Sequence, residues 1–187
     1  MVKTDTFTRF TSKSENYAKY RPDYLPEAIQ TIIEHAKLTP ASVVADIGSG
    51  TGIVARHFVE NSNPVYAVEP NPEMRQMAEV EIGKCPKFHS VNGNSEGTTL
   101  REASIDLITV GQAIGWFNPE PSKREFLRIL KPNGWFSILQ HSRLNDELTQ
   151  AISHVCSAEN GWQRSNAPKS RPYEWWFGQN GQFLYLQ

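Results

Sequence analysis

The chain has 187 residues, 39% of them hydrophobic, and its 19 Lys and Arg against 20 Asp and Glu leave a net charge of −1. That is the size of one domain, or of one domain with a small appendage, and it suffices for a normal core. The balance offers no basic stripe for nucleic acid, no apolar run able to cross a membrane and no signal-peptide core at Met1-Val2-Lys3-Thr4-Asp5, so neither nucleic acid nor membrane is an expected partner.

Residues 1–21 are polar with scattered aromatics, Phe7, Phe10, Tyr17 and Tyr20. Pro22 and Pro26 bracket a helix start, and Ile29, Ile32, Ile33 and Ala36 then fall at helical spacing until Thr39-Pro40 stops them. Val43 to Ile47 is a short apolar run suited to a buried parallel strand. A helix follows over about 52–61, with Val54, Phe58 and Ala55 on one face. Asn61-Ser62-Asn63-Pro64 is a turn, and a second strand covers 65–69. A helix over 72–82 ends near Gly83, and Phe88 to Val91 is a third strand. Asn92-Gly93-Asn94 has turn chemistry. A fourth strand runs from Ile105 to Val110 and ends at Gly111. The spacing then predicts a helix over 119–130 with Phe126, Leu127 and Leu130 inward, a tight turn at Lys131-Pro132-Asn133-Gly134 and a fifth strand over 135–139. Strands alternating with helices imply right-handed βαβ units and a parallel sheet.

The most informative stretch is Asp46-Ile47-Gly48-Ser49-Gly50-Thr51-Gly52, where the first strand gives way to a glycine turn and a helix start. Glycine permits tight backbone geometry and close approach of a ligand, and the turn is expected to aim backbone N–H groups into the crevice. The same glycines serve plain packing in many strand–helix turns, so the neighbours decide. Asp46 precedes the turn at the strand's carboxyl end. Glu69 closes the second strand, 17 residues after Gly52, where an acid can accept hydrogen bonds from ribose hydroxyls. Pro70-Asn71-Pro72 follows, and Glu73-Met74 opens the next helix. Nicotinamide-binding enzymes usually carry G-x-G-x-x-G with the helix facing a pyrophosphate. Here the pattern is G-x-G-x-G, and Asp46 would repel a pyrophosphate but attract a cation.

Together these features resemble the cofactor-binding half of class I S-adenosylmethionine-dependent methyltransferases, whose cofactor carries a sulfonium and an ammonium and no phosphate. The resemblance extends to Gly93-Asn94-Ser95-Glu96, where Asn94 and Ser95 take the places that contact the adenine ring. Asp106 to Phe117 is similar to a stretch of small-molecule methyltransferases of the trans-aconitate methyltransferase-like group. There Gly111 and Gln112 border the methionine end, and Trp116 either walls the methyl-transfer pocket or packs under the next helix. Where relatives often have His before Trp-Phe, this chain has Gly115, so no acid or base carries over at that place. Asn16-Tyr17-x-x-Tyr20-Arg21-Pro22-x-Tyr24 is also similar to this group, in which the segment folds over the cofactor. That implies Arg21 on the cofactor carboxylate, a partner its planar fork suits, with Tyr17 and Tyr20 closing the pocket.

The resemblance implies a Rossmann-like three-layer αβα sandwich around a mostly parallel sheet, with S-adenosylmethionine bound by Tyr20, Arg21, Asp46, Gly48, Ser49, Gly50, Gly52, Glu69, Pro70, Met74, Asn94, Ser95, Gly111 and Gln112. Tyr17 and Trp116 would line the substrate pocket. The product would be S-adenosylhomocysteine, and the acceptor a small molecule. No metal is expected. His35 and His57 fall within helices and read as exposed, which leaves His141, after the fifth strand, as the one candidate base. Only Cys85 and Cys156 are present, so a cytoplasmic protein with free thiols is the simplest expectation.

The resemblance covers about residues 7–140 and then fades. The methyltransferase domain is placed at 1–140, and a partial cap and tail at 141–187. Leu144, Leu148, Ile152 and Val155 read as a helix, 163–171 as a polar linker, and Tyr173 to Gly178 with Phe183 to Leu186 as an aromatic end. The chain thus looks truncated relative to the family and without its C-terminal strand hairpin, leaving strand five a bare edge. Either the tail covers that edge or a second copy does, as a homodimer. A cofactor-binding remnant with weak or absent turnover is the competing reading, because it would share every cofactor motif.

Overall fold

The computed structural model describes residues 22–141, so Tyr17, Tyr20, Arg21 and everything expected of 142–187 lie outside the described residues. Five strands are present: β1 (Val44–Ile47), β2 (Val65–Val68), β3 (Phe88–Val91), β4 (Ile105–Gly111) and β5 (Leu130–Leu139). They form one sheet in the order β3-β2-β1-β4-β5, and every pairing is parallel. The helices are α1 (Pro26–His35), α2 (Ile53–Glu60), α3 (Pro72–Ile82) and α4 (Pro119–Ile129), with a 3-10 turn at Ile114–Trp116. Among the described residues, no helix is long and apolar enough to cross a membrane.

The central strand explains the architecture. All four residues of β1 are buried, as a strand covered on both faces requires. On one face Val44 joins Ile29 of α1, Val54 and Phe58 of α2 and Ala78 of α3. On the other, Ala45 and Ile47 join Phe126 and Ile129 of α4. Helices on both faces give the three layers expected from the alternating pattern.

Local chemistry sets the helix starts. Asn71 caps α3, its Oδ1 accepting from the backbone N–H of Glu73 at 3.0 Å and of Met74 at 3.1 Å, with Pro72 in the first turn. The capping residue of α2, Gly52, has no side chain, and Asp46 substitutes from the end of β1. Its Oδ2 accepts from Ala55 N–H at 3.1 Å.

Two expectations need correcting. In α4 the buried hydrophobic residues are Phe126 and Ile129, three apart, while Leu127 is 67% exposed. Leu127→Lys should therefore change the unfolding free energy by less than about 0.5 kcal/mol in a denaturant titration. Lys131 to Gly134 do not separate α4 from its strand. They lie inside β5 as an irregular excursion: Ile105 is paired with Leu130, but Leu107 already with Trp135. Asn133 takes the left-handed φ of 65° within it. β5 stands at the edge of the described sheet, where no outer ladder resists such a bulge.

Candidate functional site

The chain runs β1, β2, β3 to one side and then crosses back so that β4 lies against β1. At that reversal the loops after neighbouring strands diverge and leave a crevice at their carboxyl ends. A cavity of about 270 Å³ occupies it.

Gly48 and Gly50 form its floor, and the end of β2 supplies Glu69, Pro70 and Asn71, with Met74 from α3. The loop after β3 contributes Asn94, Ser95 and Glu96. The end of β4 contributes Gly111 and Gln112, followed by Ala113, Trp116, Phe117 and Asn118. A smaller chamber of about 30 Å³ adjoins it, walled by Asp46, Ser49, Thr51 and Tyr24. The strand-end residues singled out in the sequence are thus brought together, with two exceptions among those described. Gly52 lines neither space; a Cβ there would stand 3.1 Å from Ala78 Cβ, so it serves the packing of α2 on α3. His141 is exposed and stacks on Tyr24 at 4.8 Å between ring centroids, outside both cavities.

The backbone of the glycine turn departs from the expectation. Four of its N–H groups do not face the crevice as free donors. Those of Gly48 and Ser49 bond Val68 O at 2.8 and 3.2 Å, and that of Gly52 bonds Ser49 O at 2.9 Å. Gly50 N–H donates to Glu69 Oε2 at 3.0 Å. Glu69 Oε1 accepts from Asn71 N–H at 2.9 Å, and Arg75 holds the carbonyls of Glu69 and Pro70 at 2.7 and 2.9 Å. The acid ending β2 is therefore locked to the turn after β1, with lone pairs left for a ligand.

Burial raises the Glu69 carboxyl above its ordinary range, against the hydrogen bonds from Asn71 and Gly50 and the charge of Arg75. Asp46 is 1% exposed, and burial pushes its carboxyl up to about 7. The Ala55 hydrogen bond opposes that rise and the nearby Glu69 adds to it. Asp46 Oδ1, Ser49 Oγ, Thr51 Oγ1 and Gln112 Nε2 are buried with no hydrogen-bond partner among the described residues. Unpaired buried polar atoms are costly, and their concentration here marks a surface built for a ligand. Gln112 adds backbone strain, holding φ at 57° although it is not glycine.

Sequence reasoning missed several wall residues. Asn71 was legible only as part of Pro70-Asn71-Pro72 before a helix, Ala113 and Phe117 only as part of the segment around Trp116, and Asn118 not at all. Trp116 is 40% exposed at the rim. His57, expected to be exposed, is half-buried, with Nε2 2.7 Å from Asp23 Oδ1, and Arg56 holds Asp23 Oδ2 at 2.6 Å. These bonds pin the strap that carries Tyr24 over the small chamber. Among the described residues no cluster of three His, Cys, Asp or Glu could hold a metal.

Residues 45–138 match the model of a family described as "Methyltransferase domain". An uncharacterized methyltransferase of Mycobacterium bovis is 32% identical over 139 residues, 74% of this chain and 54% of that protein. The malonyl-[acyl-carrier protein] O-methyltransferase of a Marinomonas species is 28% identical over 73% of this chain and 52% of its own length. The chain thus spans about half the length of the curated relatives it matches. Among solved structures, phosphoethanolamine N-methyltransferase 2 of Haemonchus contortus, in complex with S-adenosyl-L-methionine, superposes with a TM-score of 0.63. That likeness covers 79% of this chain and 38% of the other at 16% identity, and it speaks to the fold.

Proposed function

The chain belongs to the class I S-adenosylmethionine-dependent methyltransferase family, and from that premise we propose that its crevice holds S-adenosylmethionine and passes the methyl group to a small-molecule acceptor. The observation that carries this reading is the glycine turn. The N–H groups of Gly48, Ser49, Gly50 and Gly52 are already bonded within the protein, and two carboxylates, Asp46 and Glu69, border it. A pyrophosphate would find few free donors and two like charges. A ligand with a ribose diol and cationic groups finds what it needs.

The residues fit that cofactor part by part. Glu69 faces the cavity with lone pairs for ribose hydroxyls. Asn94 and Ser95 offer polar groups to a base edge. Asp46 Oδ1 and Ser49 Oγ lie unpartnered beside the turn, suited to the cationic amino-acid end. When bound, the cofactor supplies a methyl on a sulfonium, which moves to a nucleophilic atom of the acceptor and leaves S-adenosylhomocysteine. Among the described residues no histidine lines the cavity. The chain's contribution is then to exclude water and hold the two reactants in line, which can account for much of a rate enhancement.

Titration calorimetry tests the reading. S-adenosylmethionine and S-adenosylhomocysteine should bind and NAD should not. Glu69→Ala should weaken both by roughly tenfold or more, the scale of a lost charge-assisted hydrogen bond. Release of S-adenosylhomocysteine in the presence of small carboxylic acids and amines should then identify the acceptor class. Tighter binding of NAD, or no binding of either sulfur nucleoside, would sink the proposal. Binding without turnover on any acceptor would favour the remnant instead.

A further inference from the structure

We propose that Ser122 and Glu125, on α4 and outside the crevice wall, are positioning residues that hold the loop after β3 in register with the cofactor's base, Ser122 by orienting the hydroxyl of Ser95. The inference deepens the methyltransferase reading and rests on it.

The loop from Asn92 to Ser104 contains only one isolated bridge, Asn94 to Gly97. It nevertheless supplies Asn94, Ser95 and Glu96 to the cavity wall. Its order comes from α4. Ser122, fully buried, donates from Oγ to Ser95 Oγ at 2.8 Å. Glu125 Oε1 accepts from both the N–H and the hydroxyl of Thr98, at 2.9 and 2.6 Å. Arg128 closes the row, donating to Glu125 Oε2 at 2.7 Å and to Leu100 O at 2.8 Å. Ser122, Glu125 and Arg128 recur every three residues, so one stripe of α4 grips the loop at Ser95, Thr98 and Leu100.

The Ser122 bond has a chemical consequence. A hydroxyl that accepts a hydrogen bond keeps its own proton for another acceptor. With Ser122 donating, the Ser95 proton is available on the cavity side. Ser95 is 6% exposed and lines that cavity. A donor there suits a base whose edge presents a bare ring nitrogen, as adenine does. It opposes a base whose edge carries N–H, as hypoxanthine does. The second anchor keeps the loop from withdrawing. Burial raises the Glu125 carboxyl, but Arg128 and Thr98 outweigh it and hold it down at about 2, so the grip persists through the physiological range.

The test compares S-adenosylhomocysteine with S-inosylhomocysteine by calorimetry, and reads amide exchange at Ser95 and Thr98 in the free protein. Ser122→Ala should weaken the adenosyl ligand roughly fivefold, one neutral hydrogen bond. The inosyl ligand should change by less than about twofold, so that discrimination falls. Amide exchange in the loop should quicken in Ser122→Ala, and more so in Glu125→Gln. An equal loss for both ligands would show a merely structural role and overturn the proposal, as would an undiminished adenosyl affinity. If the parent chain binds neither ligand, the methyltransferase reading fails and the base-edge role fails with it. The exchange measurement still judges the anchoring alone: unchanged protection in both variants refutes it.

Discussion

Asp46→Asn is expected to make the free protein more stable and to disable its binding of the cationic cofactor. The side chain does two things at once. One oxygen caps α2 through Ala55 N–H, and the other is buried with no partner among the described residues. Asparagine keeps an oxygen for the cap and removes the charge. Burial raises the Asp46 carboxyl from 3.8 to about 7, so its folded-state value lies above its unfolded one. A group shifted in that direction supports the fold fully below about pH 4, and that support is lost as pH rises through about 7. Above pH 7 the parent protein holds an ionised carboxylate in a site that disfavours it. The asparagine variant does not, and should gain about 2 kcal/mol at pH 8 in denaturant unfolding. The ligand result runs the other way. A cation needs the ionised carboxylate, so parent affinity should climb as pH rises from 6 to 8, while the variant stays flat and some 10- to 100-fold weaker. Equal affinities of parent and variant at pH 8 would show that Asp46 is only a cap.

The sequence made some of this legible and hid the rest for physical reasons. β1, β2 and β4 were readable because strands between helical layers must be apolar on both faces, and Val44 to Ile47 or Ile105 to Val110 leave few other readings. The acids at the strand ends were readable because a carboxylate closing such a run has few structural uses. β5 was partly misread because Lys131-Pro132-Asn133-Gly134 carries strong turn chemistry, which an edge strand absorbs as a bulge instead of ending there. Leu127 was misplaced because neighbouring hydrophobic residues on a helix cannot all face inward, and Ile129 holds the inner place. The direction of the glycine-turn N–H groups was invisible. It depends on Val68 and on the Glu69 carboxylate, which reach the turn only through the pairing of β2 with β1. The Ser95–Ser122 and Thr98–Glu125 bonds each join residues 27 apart in the chain, and no local pattern announces them. The Asp23–His57 pair, 34 apart, was missed for the same reason.

Two glycines in the same turn should fail in opposite ways when a methyl group is added, and the contrast separates the fold from the site. Both take a left-handed φ, 72° at Gly48 and 55° at Gly50, so alanine costs about 1 kcal/mol at either place from backbone strain alone. At Gly50 that is nearly the whole cost to the fold, since a Cβ there meets nothing within 4 Å. The methyl instead occupies part of the crevice that Gly50 lines. Gly50→Ala should therefore fold almost as well as the parent and lose S-adenosylhomocysteine binding by calorimetry. At Gly48 a Cβ would stand 2.7 Å from Ala113 Cβ and 3.3 Å from the Phe117 ring. Both belong to the connection between β4 and α4, and the Ala113 methyl, fixed to the backbone, cannot swing aside. Gly48→Ala should cost about 3 kcal/mol, strain and overpacking together. Because most of that arises at one contact, Ala113→Gly should restore about 1–2 kcal/mol in the double variant, a coupling that independent sites would not show. Additive losses in that cycle would mean that the strained backbone, and not the contact with Ala113, is what demands glycine at position 48.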